Sequence, residues 1–134
     1  MSYEVIRSLL ESRLDSIYPS VETAWENVPF EPVTGVLYQR AFLLPAGAEN
    51  PTFGDTMSRE NGIFQVSVCA PIGLGSIEAM QRANLIRNRF YRGLSLVKGS
   101  VSVRIIKTPS IAPAITESVF YVIPVSISYF SDIF

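Results

Sequence analysis

The chain has 134 residues, 48% hydrophobic and 17% charged, with 11 basic and 12 acidic side chains for a formal net charge of -1. That length suits one domain over residues 1–134 with a core that needs no staples, and the low charge content excludes a disordered chain and fits a surface partly buried against partners. Histidine is absent and Cys69 is the single cysteine, which removes the commonest general base and transition-metal ligand, any intramolecular disulfide and any cysteine metal cluster.

The first predicted element is a helix capped by Ser2, with Glu4 in its first turn. Tyr3, Ile6, Leu10, Leu14 and Ile17 recur at spacings of three and four and share one face, and Pro19 ends the helix. Val21–Thr34 reads as a connector with a short turn around Thr23–Asn27; its Trp25 is either a core or lid residue or an anchor for a partner. Strand one spans Val36–Leu44 and stops at Pro45. Ala46–Asn61 is polar, holds Gly47, Pro51 and Gly54, and reads as a long loop, of a length that is often functional or disordered. Strand two, Gly62–Ala70, sends Phe64, Val66 and Val68 to one face and Gln65, Ser67 and Cys69 to the other.

Pro71–Gly75 forms a turn, and Ser76 caps a second helix with Glu78 in its first turn. Ala79, Ala83, Ile86 and Phe90 make its core stripe with Met80 beside it, and Gly93 ends it. Strand three, Ser100–Lys107, alternates Val101, Val103 and Ile105 with polar residues; Pro109 and Pro113 then break the chain. The last strand, Ser118–Phe130, sets Tyr121, Ile123, Val125, Ile127 and Tyr129 on one face, and Pro124 inside it indicates an edge position or a bulge. The order helix, strand, strand, helix, strand, strand predicts an α+β fold, with a mainly antiparallel four-stranded sheet and both helices packed on one face.

Few residues offer chemistry. A serine–histidine pair is excluded by the missing histidine. Glu22, Glu26 and Glu31 in the connector, and Glu49, Asp55 and Glu60 in the long loop, lack metal-loop spacing and read as solvated acids. Pro71-Ile72-Gly73-Leu74-Gly75-Ser76 sits where a phosphate loop would, but lacks the Gly-Lys-Ser/Thr ending and a third glycine, so it reads as a turn. Arg82, Arg87, Arg89 and Arg92 crowd the second helix; they are either solvated, or bridge to a neighbouring subunit, or line a channel through which DNA passes unread. No apolar run is long enough for a membrane span, and Met1-Ser2-Tyr3-Glu4 is no basic leader, so a cytoplasmic protein without membrane contact is expected.

Several short blocks recur in a familiar order: Thr23-Ala24-Trp25-Glu26-Asn27-Val28-Pro29-Phe30, Leu43-Leu44-Pro45-Ala46, Gly62-Ile63-Phe64-Gln65-Val66 and Ala70-Pro71-Ile72-Gly73-Leu74-Gly75. Ile86-Arg87, Phe90, Arg92-Gly93, Tyr121 and Pro124-Val125-Ser126-Ile127 follow. In that order they resemble the tail-terminator-like or tail-completion proteins of long-tailed phages and prophages. The resemblance implies a non-catalytic, cofactor-free assembly protein. Subunits of this kind form a homo-oligomeric ring, a hexamer in lambda-type members, on the head-proximal end of the tail tube. The implied partners are further copies of the chain, the tail tube protein and a head–tail connector protein, with DNA passing through the ring without sequence-specific binding. The implied location is the host cytoplasm during assembly and then the virion tail. The runner-up is a neck or head-completion connector; a nonspecific DNA-binding module and an enzyme come after it. No catalytic, cofactor or metal residue is carried over. Interface candidates, chosen by position, are Phe53, Met57 and Arg59 in the loop and Arg82, Arg89 and Arg92 on or beside the second helix.

Overall fold

The computed structural model describes residues 2–33, 35–49, 58–73, 75–117 and 119–133. Two helices and eight strands follow in the order α1 (Ser2–Asp15), β1 (Glu22–Ala24), β2 (Tyr38–Glu49), β3 (Ser58–Pro71), α2 (Ile77–Arg89), β4 (Ser95–Lys98), β5 (Val101–Ile105), β6 (Ser110–Ile111), β7 (Ile115–Glu117) and β8 (Phe120–Ile133). The sheet runs β1-β2-β3-β8-β5-β4, with β6 and β7 also paired to β8. It is a mixed, curled half-barrel, in which β1 and β2 are parallel and the other pairs antiparallel. This corrects the expected four-stranded antiparallel sheet in the order α-β-β-α-β-β. The missing strands are short, two to four residues each for β1, β4, β6 and β7, and too brief to show an alternating pattern.

The spine is the pair β3–β8, two fourteen-residue strands joined from Ser58–Ile133 to Pro71–Phe120. On one face, Phe64, Val66 and Val68 of β3 meet Ile123, Val125 and Ile127 of β8, all at 0% exposure. Both helices press onto that face. Ile6, Leu10, Leu14 and Ile17 from the first helical segment and Ala79, Ala83, Ile86 and Phe90 from the second complete one core. Regular α1 ends at Asp15, but a final tight turn, Ile17 N–H to the Leu14 carbonyl at 3.2 Å, carries Ile17 onto the same stripe. Ser76 occupies the cap position of α2 without a side-chain capping bond, and Met80, beside the stripe, is exposed.

Prolines mark where the ladder is not needed. Pro45 does not stop its strand: β2 continues to Glu49, with a register shift between Pro45 and Gly47. β1 covers β2 only as far as Arg40. Pro45 points its nitrogen, like that of Leu43 two residues earlier, toward the edge left open, where no ladder donor is required. Ala46–Glu49 and Ser58–Asn61, expected as loop, are therefore strand. The core of that expected loop, including Phe53 and Met57, lies outside the described residues. Pro109 and Pro113 do not end the sheet either. β5, β6 and β7 run in succession along one edge of β8. Between Ile105–Tyr129 and Ser110–Ser126, four residues face two; between Ile111–Val125 and Ile115–Val122, three face two. Pro124 sits in that second irregularity, its carbonyl accepting from Ala112 N–H at 2.9 Å, so its lack of an N–H falls beside a bulge.

Parallel β1 and β2 need a crossover, and here it is the irregular Trp25–Leu37 segment. It wraps the edge of β2. Trp25 packs against the main core, while Phe30 reaches the face without helices, stacking on Tyr38 with ring centroids 5.1 Å apart. Phe120 meets Tyr38 edge-on at 5.2 Å, and Tyr38, Cys69 and Val122 form a second small cluster there.

Gly62 is fixed by close approach. A Cβ on it would stand 2.8 Å from Tyr129 Cζ and 2.9 Å from the Leu44 carbonyl, and Tyr129 is 2% exposed and cannot swing away. Gly62→Ala is expected to lower unfolding free energy by about 1–3 kcal/mol, read as a fall in the urea midpoint at unchanged slope.

Candidate interaction surfaces

The interior of α2 carries a polar group. Arg82 follows Ala79 by three residues and precedes Ile86 by four, which puts it on the buried stripe, and it is only 5% exposed. Its Nε donates to Gln39 Oε1 at 3.2 Å and its Nη1 to the Pro19 carbonyl. Gln39, itself 1% exposed, donates through Nε2 to Thr23 Oγ1 at 2.9 Å. Burial lowers the Arg82 pKa from its usual value. The guanidinium thus ties α2, β2 and the connector together, at one wall of a concavity of about 750 Å³ whose rim also includes Asp15, Glu22, Trp25, Leu37, Glu78 and Leu85. Trp25 separates this concavity from a smaller one beside Arg7, Glu11 and Glu26.

The other candidates separate in character. Arg59 is paired across β3 and β8 to Asp132 by two bonds of 2.7 and 3.1 Å, and its guanidinium lies 4.5 Å from the Phe130 ring centroid. Arg89 is half-buried, and its carbonyl accepts two bonds from Arg13, at 3.1 and 2.8 Å, which satisfy the last turn of α2. Arg92 is exposed beyond the helix end. The structure therefore groups Arg89 and Arg92 at one end of α2 and sets Arg82 and Arg59 elsewhere. The signal for Arg82 was present in the sequence: its spacing matches Ala79, Ala83 and Ile86.

Of the connector acids, Glu22 and Glu31 are exposed, and Glu26 has structural work. Glu26 Oε1 accepts from Leu43 N–H at 3.1 Å and from Arg7 at 3.2 Å, closing part of the open β2 edge. In the turn after β3, Gly73 and Gly75 both have positive φ, +91° and +81°, which accounts for two glycines there without a phosphate. Among the described residues no group of three His, Cys, Asp or Glu side chains is placed to hold a metal ion, and no helix is long and apolar enough to cross a membrane.

One surface was not foreseen. Ile72, Ile77, Ile115 and Val119 are 48–73% exposed, and Ile72 N–H bonds the Val119 carbonyl at 3.2 Å. They gather where β3 ends, β8 begins and α2 starts, leaving an apolar end on the subunit. On the face without helices, Arg40 pairs with Glu117 at 2.9 Å beside the Tyr38–Cys69 cluster. Burial, with Cys69 close by, pushes the Tyr38 pKa up to about 12, and burial raises the Cys69 thiol as well.

A mixed half-barrel covered by helices on one side, with a charged helix end and an apolar end, defines a small subunit suited to docking. The chain belongs to the phage tail terminator family, whose model matches residues 5–129, and so has a structural part in phage tail assembly. A solved structure 31% identical to it, covering 98% of this chain and 96% of that one, is similar with a TM-score of 0.79. No curated protein matches the chain.

Two outcomes follow. Arg82→Met leaves Gln39 and the Pro19 carbonyl without their charged donor and is expected to cost about 2–3 kcal/mol of stability. The same change at exposed Arg92 should stay within about 0.5 kcal/mol, both read by urea unfolding. For Tyr38 the folded pKa lies above the unfolded value of 10, so its contribution is complete below pH 10 and is lost as pH rises through 12. Tyr38→Phe should therefore flatten the alkaline loss of stability between pH 10 and 12, measured as urea midpoint against pH.

Proposed function

We propose that this protein caps the tail tube, ends its polymerisation and presents the surface to which the filled head joins, acting as a closed ring. The observation that carries this reading is the family match across residues 5–129. A hexamer is the ring size that the resemblance to lambda-type proteins implies. The partners are further copies, the tube protein below and a connector protein above, and DNA passes through the ring without its sequence being read. The place of action is the head-proximal end of the virion tail.

Two surfaces support the reading. A ring of identical subunits requires two different, complementary patches on each copy, related by a rotation that closes, and the ends of the sheet, β1 and β4, differ in sequence and cover. A cap also needs a third patch for the tube or the head, and the exposed Ile72, Ile77, Ile115 and Val119 offer apolar area for such a contact. Of the interface candidates, Arg89, Arg92, Phe53, Met57 and Arg59 stay as contacts to other copies or partners, and Arg82 supports the surface from within.

Electron microscopy of particles assembled without this protein tests the proposal. Tails of uncontrolled length are expected. Tails of normal length that lack heads would overturn termination in favour of a connector role.

A further inference from the structure

Charge on this chain is sorted by position. Residues 79–116 hold seven basic side chains and no acidic one, whereas residues 1–78 hold ten acidic and four basic. The formal net charge of -1 therefore hides two regions of opposite sign.

The fold keeps them apart. Asp15, Glu22 and Glu78 are exposed on the rim of the concavity walled by Trp25, with Glu22 in the outermost strand β1. Arg87, Arg92, Lys98, Arg104 and Lys107 are exposed and belong to the other end. Arg104 stands opposite Ser95 in the β4–β5 pair, and Lys98 opposite Val101. Gly93 N–H bonds the Ile105 carbonyl at 2.9 Å, which brings Arg92 and Lys107 beside the same pair. α2 spans the gap, with Glu78 in its first turn and Arg87 and Arg89 in its last, roughly 16 Å apart at 1.5 Å per residue.

Neither pole is neutralised within the chain. The salt bridges among the described residues join Arg7 to Glu11 and Glu26, Arg40 to Glu117 and Arg59 to Asp132; none uses a residue of the acidic rim or the basic end. Like charges crowd each pole, and each is the complement of the other. No salt bridge among the described residues joins the two groups within one copy, but such pairs can form between two copies. A contact of one patch on a different patch is the heterologous kind that repeats into a ring.

Resting on the ring reading above, we propose that neighbouring copies join head to tail through charge. The acidic rim of one copy, Asp15, Glu22 and Glu78, seats on the basic end of the next, Arg87, Arg92 and Lys98. Such a contact gains in association rate and in correct register, and weakens as salt screens it. DNA would engage the basic end alone and leave the acidic rim indifferent, which separates the two partners experimentally.

Two charge-reversed proteins make the test. One carries Asp15→Lys, Glu22→Lys and Glu78→Lys; the other carries Arg87→Glu, Arg92→Glu and Lys98→Glu. Circular dichroism establishes that both fold, and sedimentation velocity reads their size, free and with purified tail tubes. The wild type should form rings that dissociate as salt rises. Each variant alone should lose the ring, and an equimolar mixture should restore an alternating one. Rings persisting in both variants would overturn the charge contact while leaving the ring reading intact. Loss in the basic-end variant only, together with loss of its retention on DNA, would assign that end to nucleic acid and overturn the proposal. A wild type that is monomeric both free and on tubes would remove the ring reading, and this contact with it.

Discussion

The antiparallel pairing of β3 with β8 is the constraint on which the other elements depend. Its partners are far apart in sequence, Ser58 against Ile133 and Pro71 against Phe120, so the chain between them must fold back as one unit. That unit supplies α2, which covers the face the pair makes, β5 to β7, which complete the edge of β8, and β4, which pairs with β5. The period of two then fixes what each face is. A one-residue slip would exchange Phe64, Val66 and Val68 for Ile63, Gln65 and Ser67 beneath the helices, and the buried set on β8 would change with it. The close packing of Tyr129 on Gly62 belongs to the same register.

Much of this was legible in the residues. Both apolar helix stripes and the alternation of the two long strands can be read directly, because long segments repeat their pattern enough times to be unambiguous. The short strands cannot. β6 has two residues and β1 three; they are strands because a neighbouring edge is available, a fact about the fold and not about their own sequence. The prolines mislead for a related reason. Pro45, Pro109 and Pro113 read as stops because proline cannot donate a ladder bond, yet each lies where the ladder is open or bulged. The chain continues alongside its partner after them.

The surface was less legible than the core. Arg82 carries a charge and reads as exposed, but its spacing on α2 places it inward, and Gln39 and the Pro19 carbonyl compensate the loss of water. Phe53 and Met57 lie outside the described residues. Arg59, in a stretch whose composition reads as loop, lies in a strand, paired with Asp132. The exposed apolar end is not legible in the sequence because its members, Ile72, Ile77, Ile115 and Val119, are scattered and come together only where strands and helix begin and end.

A half-barrel with helices on one side leaves each end of its sheet different from the other, and this bears on how copies meet. Two-fold contacts place a patch against itself. A patch of one sign would then face its own sign, which repulsion disfavours. With Asp15, Glu22 and Glu78 gathered on one rim and Lys98 and Arg104 on β4 and β5, self-contact of either group is unfavourable, and contact between the unlike groups is favourable. The small net charge of the chain is thus no sign of a neutral surface. It is the sum of a mainly acidic stretch, residues 1–78, a wholly basic one, residues 79–116, and two further acids, Glu117 and Asp132.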